Sequence, residues 1–307
     1  MAIIRTPRLD EEADVVSANS FEAASVSQRG SYHERNEDRA LYTKHFFGIA
    51  DGVGGGANGD IAAQTLIDYC ANIPHWQDAH LLQQALIQSD AVVQTALQQH
   101  DSAQGASTLA AAWLNEQGQG FISWVGDVRL YHLQHHAQQI QVTQLSIDQS
   151  YDYLGEISPS GQQDAPARMV GSGAVGVPPI QAIQLQQHEA LLILSDGVYR
   201  FLEDNQLATT CQQLLHHPSL NSICQQLVEL AIEQGSYDDA TALMVRLKPS
   251  FVVPSASNTA TQLQATPRKN QRKWLIHSAN VAILLIVLLL AIALGFYWGQ
   301  QGAICFG

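Results

Sequence analysis

The sequence predicts an α+β fold in which strands pair mainly antiparallel and helices flank them. Three observations carry this. Four strand-like runs, 107–114, 121–125, 129–133 and 139–145, follow one another with no room for a helix between them, which implies antiparallel pairing rather than crossover connections. Segments of helical period stand before and after this block. A last apolar run near the C-terminus shows no polar face and is long enough to form a separate membrane element.

In chain order, residues 1–20 are polar with little periodicity, and no basic stretch leads into an apolar one, so they read as a flexible N-terminal arm without a cleaved signal peptide. The domain proper is expected over 21–248. From Ala57 to Ala71 the apolar positions Ile61, Ala62, Leu66, Ile67 and Cys70 recur at helical spacing, as do Leu82, Leu86 and Val93 within 81–97. After the strand block, residues 149–175 are rich in Gly, Ser, Gln and Asp and lack a period. They read either as a flap beside a site or as a long surface connection. A strand at 190–195, helical patterns near 204–215 and 220–234, and a strand at 240–247 complete the domain.

Residues 249–273 form a linker dominated by Pro, Ser, Thr, Asn and Gln that ends in the basic residues Arg268, Lys269, Arg272 and Lys273. Residues 274–298 are expected to span a membrane. Their core, Val281 to Trp298, is an unbroken apolar run; at ~1.5 Å per residue it covers about 27 Å, close to the hydrocarbon thickness, and Trp274, Tyr297 and Trp298 suit the two interfaces. The basic cluster before the run keeps the domain cytoplasmic and sends only 299–307 across, as a short extracytoplasmic tail of a protein of the inner or cytoplasmic membrane.

The net charge of −13 hides an asymmetry. Residues 268–307 hold four basic side chains and no acidic one, so the other 267 residues carry all 28 acidic groups against 11 of the 15 basic ones. A body that acidic excludes nucleic acid as the natural partner, because phosphate-backbone affinity comes from Lys and Arg. The four cysteines, Cys70, Cys211, Cys224 and Cys305, are scattered without a CxxC pair, the usage of a reducing compartment. None has an Arg six positions later, which argues against a thiolate phosphatase.

The chemistry lies in where the acidic residues stand. Phe46 to Ala50 runs into Asp51-Gly52, Phe121 to Val125 into Gly126-Asp127, Leu192 to Ser195 into Asp196-Gly197, and Asp238-Asp239 precede the run 240–245, while Arg35-Asn36-Glu37-Asp38 forms a further acidic block. Carboxylates closing buried strands at one sheet edge repel one another unless something neutralises them. With no paired Cys or His beside them, the fitting ions are hard divalent cations, Mg²⁺ or Mn²⁺ rather than Zn²⁺. Gly52 to Gly56 is followed by no Gly-Lys-Ser/Thr and is preceded by an acidic residue, so it does not read as a nucleotide-phosphate loop. The histidine pairs 135–136 and 216–217 read as surface residues.

In order, these blocks, with Gly105-Ala106-Ser107-Thr108, Val125-Gly126-Asp127 followed by Arg129 and Tyr131, Ser195-Asp196-Gly197 with Tyr199, and Gly235-Ser236 leading into Asp238-Asp239-Ala240-Thr241, resemble the PPM-type (type 2C) metal-dependent serine/threonine protein phosphatases of bacterial kind over roughly 21–248. The resemblance implies two packed, mainly antiparallel β-sheets flanked by helices, an α-β-β-α sandwich. It implies two Mn²⁺ or Mg²⁺ ions bridged by Asp51, with Glu37 and the Gly52 carbonyl completing one shell and Asp196 and Asp238 the other. Asp38 would support them, and Asp127 would help Asp196 hold a third, weaker ion. Asp51, Asp196 and Asp238 are then the catalytic set. Where the family has a phosphate-gripping Arg three residues before Asn36, this chain has His33, which lacks the bidentate, permanently charged fork. Arg35 or Arg29 would be the substitute, Arg35 facing the same way as His33 if the segment is a strand. Val53 after the Asp-Gly pair is as in bacterial members.

The implied function is a membrane-tethered phosphatase that hydrolyses phosphoserine and phosphothreonine with a hydroxide held at a binuclear site. It would act on phosphorylated, membrane-associated proteins and oppose a cognate Ser/Thr kinase. The alternative, motivated by His33, is a catalytically weak pseudophosphatase that binds phosphoproteins.

Overall fold

The computed structural model describes residues 20–53, 58–100, 104–216 and 219–248. The expected linker, membrane helix and tail, and the arm up to residue 19, lie outside the described residues, and so does His217. Among the described residues no helix is long and apolar enough to cross a membrane.

The elements are β1 (Phe21–Gln28), β2 (Arg39–Tyr42), β3 (Phe46–Val53), α1 (Gly59–Ala71), α2 (Ala79–Leu97), β4 (Ala106–Leu114), β5 (Gln119–Val125), β6 (Arg129–His136), β7 (Gln139–Gln144), α3 (Tyr151–Leu154), β8 (Ile180–Gln184), β9 (Ala190–Leu194), α4 (Asp196–Tyr199), α5 (Asp204–Cys211), α6 (Leu220–Glu233) and β10 (Ala240–Leu247). They build two five-stranded sheets, β1-β10-β9-β6-β7 and β2-β3-β4-β5-β8. Every pairing is antiparallel.

Period-2 alternation sorts the strand side chains into three apolar layers. Phe47 and Ile49 of β3, Ala110 and Ala112 of β4, Leu191 and Ile193 of β9, and Leu243 and Val245 of β10 meet in the layer between the sheets. The alternate residues Ala242 and Met244 face Leu227 and Val228 of α6, and Phe46 and Ala50 face Leu66 and Ile67 of α1. The result is helices, sheet, sheet, helices. The expectation of two antiparallel sheets flanked by helices holds.

Three details differ from the sequence reading. The strand block 106–144 is not one meander, because β5 pairs with β4 and β8 while β6 pairs with β7 and β9. The chain changes sheet at Gly126-Asp127-Val128, so Asp127 is carried by the crossing segment. Gly126 makes that crossing with φ +93°, a left-handed backbone in which a side chain would also collide with Thr108. Residues 31–38 are loop and turn rather than strand, so strand parity does not decide which way Arg35 faces. The segment 149–175 is neither bare flap nor bare connection: it holds α3, bridges Ser150 to Pro166 and Ser107 to Val170, and buries Ala167 and Val170.

The cysteines Cys70, Cys211 and Cys224 are free and buried, and burial pushes the Cys211 thiol up to about 12, so these are packing residues rather than nucleophiles. His135 and His136 are exposed, as the sequence reading expects. Leu243 touches both sheets through the central layer. Leu243→Ala should cost about 2–5 kcal/mol of unfolding free energy, because a cavity between two backbone-paired sheets collapses poorly; a urea midpoint lowered at constant m-value checks this.

Candidate metal centre

Strand parity explains how the carboxylates gather. Asp51 continues the Phe47, Ile49 series of β3 into the space between the sheets, and Ser195 and Asp239 continue the corresponding series of β9 and β10. Asp127 arrives from the crossing after β5, Asp196 opens α4, and Glu37 and Asp38 lie in the loop before β2. Glu37, Asp38, Asp127 and Asp239 are buried, whereas Asp51, Asp196 and Asp238 are half-buried.

Backbone contacts fix this end of the fold. The Asp51 carbonyl accepts the Ser107 hydroxyl at 2.9 Å, and Thr241 N–H donates to the Ser195 hydroxyl at 2.9 Å. Gly52 lies so close to Gly59 at the start of α1 that a Cβ on Gly52 would stand 2.5 Å from the Gly59 carbonyl oxygen, and one on Gly59 would meet the Glu37 carboxylate. The resemblance puts Glu37 and the Gly52 carbonyl in one metal shell, and the structure brings the two residues together at this contact.

Burial and like charge act on the cluster as expected from first principles. Burial, then the charges of Asp38, Asp196, Asp127 and Asp238, hold the Asp51 carboxyl well above the usual range. Burial raises Asp38 in the same way; the Thr241 and Ser195 hydroxyls ease it in part, yet neither Asp38 carboxylate oxygen receives a well-formed hydrogen bond. Asp196 is pushed up to about 7 by burial and by Asp127, against the relief supplied by Arg200. Glu37 is raised mainly by its burial.

Asp239, which the sequence reading passed over in favour of Asp238, is the acceptor that holds the loop. Its carboxylate takes Gly30 N–H and Glu37 N–H at 2.7 Å each and His33 Nδ1 at 2.8 Å. His33 lies 3.7 Å from Asp238. Burial alone would depress the imidazole, but the Asp239 hydrogen bond and the charges of Asp239, Asp238 and Glu37 outweigh it, and the His33 pKa is raised. Arg29 donates to the His33 carbonyl. Arg35 does not face the cluster core: its side chain is 77% exposed and reaches Asp60 of α1 at 3.7 Å. Asn36 donates to Ser27 and accepts Asp38 N–H, which sets the direction of the acidic block.

Two arginines complete the far side. Arg129 forks onto Asp148, with Nη2 to Oδ2 at 2.7 Å, and stacks over the Tyr199 ring at 3.8 Å. Arg200 Nη2 is 2.9 Å from Asp127 and its Nε 3.2 Å from Asp196. Arg200 had no place in the sequence reading. The signal was present, since Asp196 and Arg200 are four apart on a helical turn.

No three His, Cys, Asp or Glu side chains among the described residues stand as a finished ligand set. The donors nevertheless fit hard divalent cations: all are oxygens, and neither oxygen of the buried Asp38 carboxylate receives a well-formed hydrogen bond. Asp51 and Asp38 also form no ion pair with the described basic residues.

The protein phosphatase 2C family model matches residues 34–234. The chain belongs to that family. It is 25% identical over 236 residues to the serine/threonine protein phosphatase PstP of Mycobacterium tuberculosis, a match covering 72% of this chain and 44% of the relative, so it spans less than half of that relative's length. A putative protein phosphatase of Mycoplasma pneumoniae is 23% identical, over 76% of this chain and 98% of its own. Among solved structures, PppA, described as a key regulatory component of T6SS in Pseudomonas aeruginosa, superposes with a TM-score of 0.62 at 26% identity, covering 75% of this chain and 99% of its own. The catalytic domain of PstP in complex with two manganese ions has a TM-score of 0.62 at 22% identity, over 74% and 98%, a likeness of fold.

A folded-state carboxyl pKa above its unfolded value means that the native state binds the extra proton, so stability falls as pH climbs from the ordinary Asp value, 3.8, through about 7 for Asp196. His33 acts with the same sign, because the stability it gains when charged is lost as pH rises through its raised pKa. In chelator, Tm should therefore decline between pH 5 and pH 7.5. Saturating Mn²⁺ should raise Tm most at the upper end, where the carboxylates are charged, and a Tm surface against pH and Mn²⁺ measures both.

Proposed function

We propose that this chain is a protein serine/threonine phosphatase that works with two divalent cations, Mn²⁺ or Mg²⁺. The observation that carries the proposal is the convergence of Glu37, Asp38, Asp51, Asp196 and Asp238 from both sheets, with the Asp38 oxygens left without hydrogen bonds. Family membership and the two manganese ions of the PstP domain support it. Glu37, Asp51, the Gly52 carbonyl, Asp196 and Asp238 would hold the ions. When bound, the cations make water nucleophilic near neutral pH and offset charge on the phosphoryl oxygens.

The chain's own residues then have defined tasks. Asp239, by accepting from Gly30, His33 and Glu37, sets the loop that carries Glu37. His33, 30% exposed and with its pKa raised by Asp239, presents its imidazole at the rim beside Asp238, where a substrate phosphate would approach. Because that imidazole is already committed to Asp239, a phosphoprotein-binding module with weak turnover is the second reading. The likeness to PppA supports a regulatory role for the dephosphorylation.

Purified full-length protein should release phosphate from a phosphothreonine peptide only with Mn²⁺ or Mg²⁺. Asp51→Asn should abolish turnover, and His33→Ala should raise KM more than it lowers kcat. Metal-dependent peptide binding without phosphate release would select the binding module, and activity that survives chelator would sink both readings.

The membrane tether is proposed from the sequence: the apolar run 281–298 behind Arg268, Lys269, Arg272 and Lys273. From its composition, the 18-residue segment 250–267 would, as a random coil, reach about 20–25 Å, enough to bring the domain to juxtamembrane segments of phosphorylated membrane proteins that a cognate kinase would mark. Alkaline carbonate should leave the protein in the membrane pellet, and a reporter fused after Gly307 should lie outside the cytoplasm. Recovery in the soluble fraction would remove the tether.

A further inference from the structure

Where the resemblance puts a third cation, a side chain of this chain already joins the two carboxylates. Arg200 Nη2 lies 2.9 Å from Asp127 Oδ2 and Nε 3.2 Å from Asp196 Oδ2, while the same Nη2 donates to the Asp164 carbonyl at 3.2 Å. The Asp127 side chain is 5% exposed and that of Asp196 20%. We propose that the Arg200 guanidinium is a built-in cation of the Asp127–Asp196 pair, so that this chain takes exchangeable ions only at the two positions served by Asp51 and excludes a third. The inference rests on the phosphatase reading above and concerns the ion count at that site.

Three features support the assignment. A divalent ion bridging these carboxylates needs oxygens at roughly 2.0–2.2 Å, in space that the guanidinium nitrogens fill. The guanidinium is planar and permanently charged, and its fork serves two acceptors at once. Its base is fixed: α4 begins at Asp196, Gly197 packs where a Cβ would collide with the Asp239 carbonyl, and Tyr199 lies under Arg129. A tethered cation does not dissociate, so the charge it sets against Asp127 Oδ2 and Asp196 Oδ2 is independent of metal concentration, while the other Asp196 oxygen is left for the ion it would share with Asp238. Through Asp164 it also ties the segment 149–175 to the site by a covalently attached group instead of an exchangeable one.

The test counts ions rather than turnover. Full-length protein in detergent is titrated with Mn²⁺, bound metal being read by equilibrium dialysis with elemental analysis and free Mn²⁺ by EPR. Arg200→Gln should bind one ion more than wild type, and adding Asp127→Asn should remove that ion again. Asp127→Asn alone should leave the wild-type count unchanged, which keeps the inference testable if the Arg200 variant does not fold. Equal, non-zero counts in wild type and Arg200→Gln would show that Arg200 does not set the ion count, and an ion lost from wild type by Asp127→Asn would show that Arg200 yields to a metal there; either would overturn the inference alone. No bound Mn²⁺ on any form would overturn the phosphatase reading and this inference with it.

Discussion

The constraint on which this structure depends is the mutual repulsion of carboxylates driven to one end of two packed sheets. The apolar runs of β3, β9 and β10 are buried because their alternate residues fill the central layer and the two helical layers. Burying them carries Asp51, Asp196 and Asp239 to the same edge, and the crossing at Gly126 adds Asp127. Hydrophobic burial thus enforces a juxtaposition that electrostatics opposes. Neither force alone would produce the site.

Asp239 shows how one such carboxylate is made tolerable without metal. It is 3% exposed, yet two backbone N–H groups and an imidazole satisfy it. Its neighbour in sequence, Asp238, has a side chain 36% exposed and is left facing the site. One turn before β10 therefore supplies a structural carboxylate and a ligand candidate side by side. The cost of burying charge is met at the first position by hydrogen bonds and at the second by partial exposure.

Much of this was legible in the sequence, for a physical reason: period-2 apolar runs that stop at an acidic residue mark both a buried strand and the charge at its end. The positions of Asp51, Asp127 and Asp196 followed from that pattern. What the pattern cannot tell is which way a side chain turns outside a strand. Asp238 and Asp239 are equivalent in it, and Arg35 was given a strand parity that a loop does not have. Edge strands were also hard to see. β1, Phe-Glu-Ala-Ala-Ser-Val-Ser-Gln, is weakly apolar because it is the outermost strand of its sheet, and β8, Ile-Gln-Ala-Ile-Gln, packs a part-buried Ile183 and Ile180 at the edge of the other. Arg200 was missed because an arginine after an Asp-Gly turn reads as surface unless the i, i+4 spacing to Asp196 is weighed.

Sorting the carboxylates by their fixed partners separates permanent from exchangeable neutralisation. Asp148 has Arg129, Asp127 and Asp196 share Arg200, Asp239 has His33 and two amides, and Asp60 has Arg35 and Arg39 nearby. Glu37, Asp38 and Asp51 remain in no ion pair among the described residues, and all three are raised by burial. The fixed cations therefore serve the outlying carboxylates, and Glu37, Asp38 and Asp51 are left uncompensated, Glu37 against Gly52 and Gly59. A site designed only for stability would have placed its basic residues beside those three. Keeping them on the outlying groups leaves the most strongly repelling carboxylates to a partner that can arrive and leave, which is the property that the proposed hydrolytic chemistry would require.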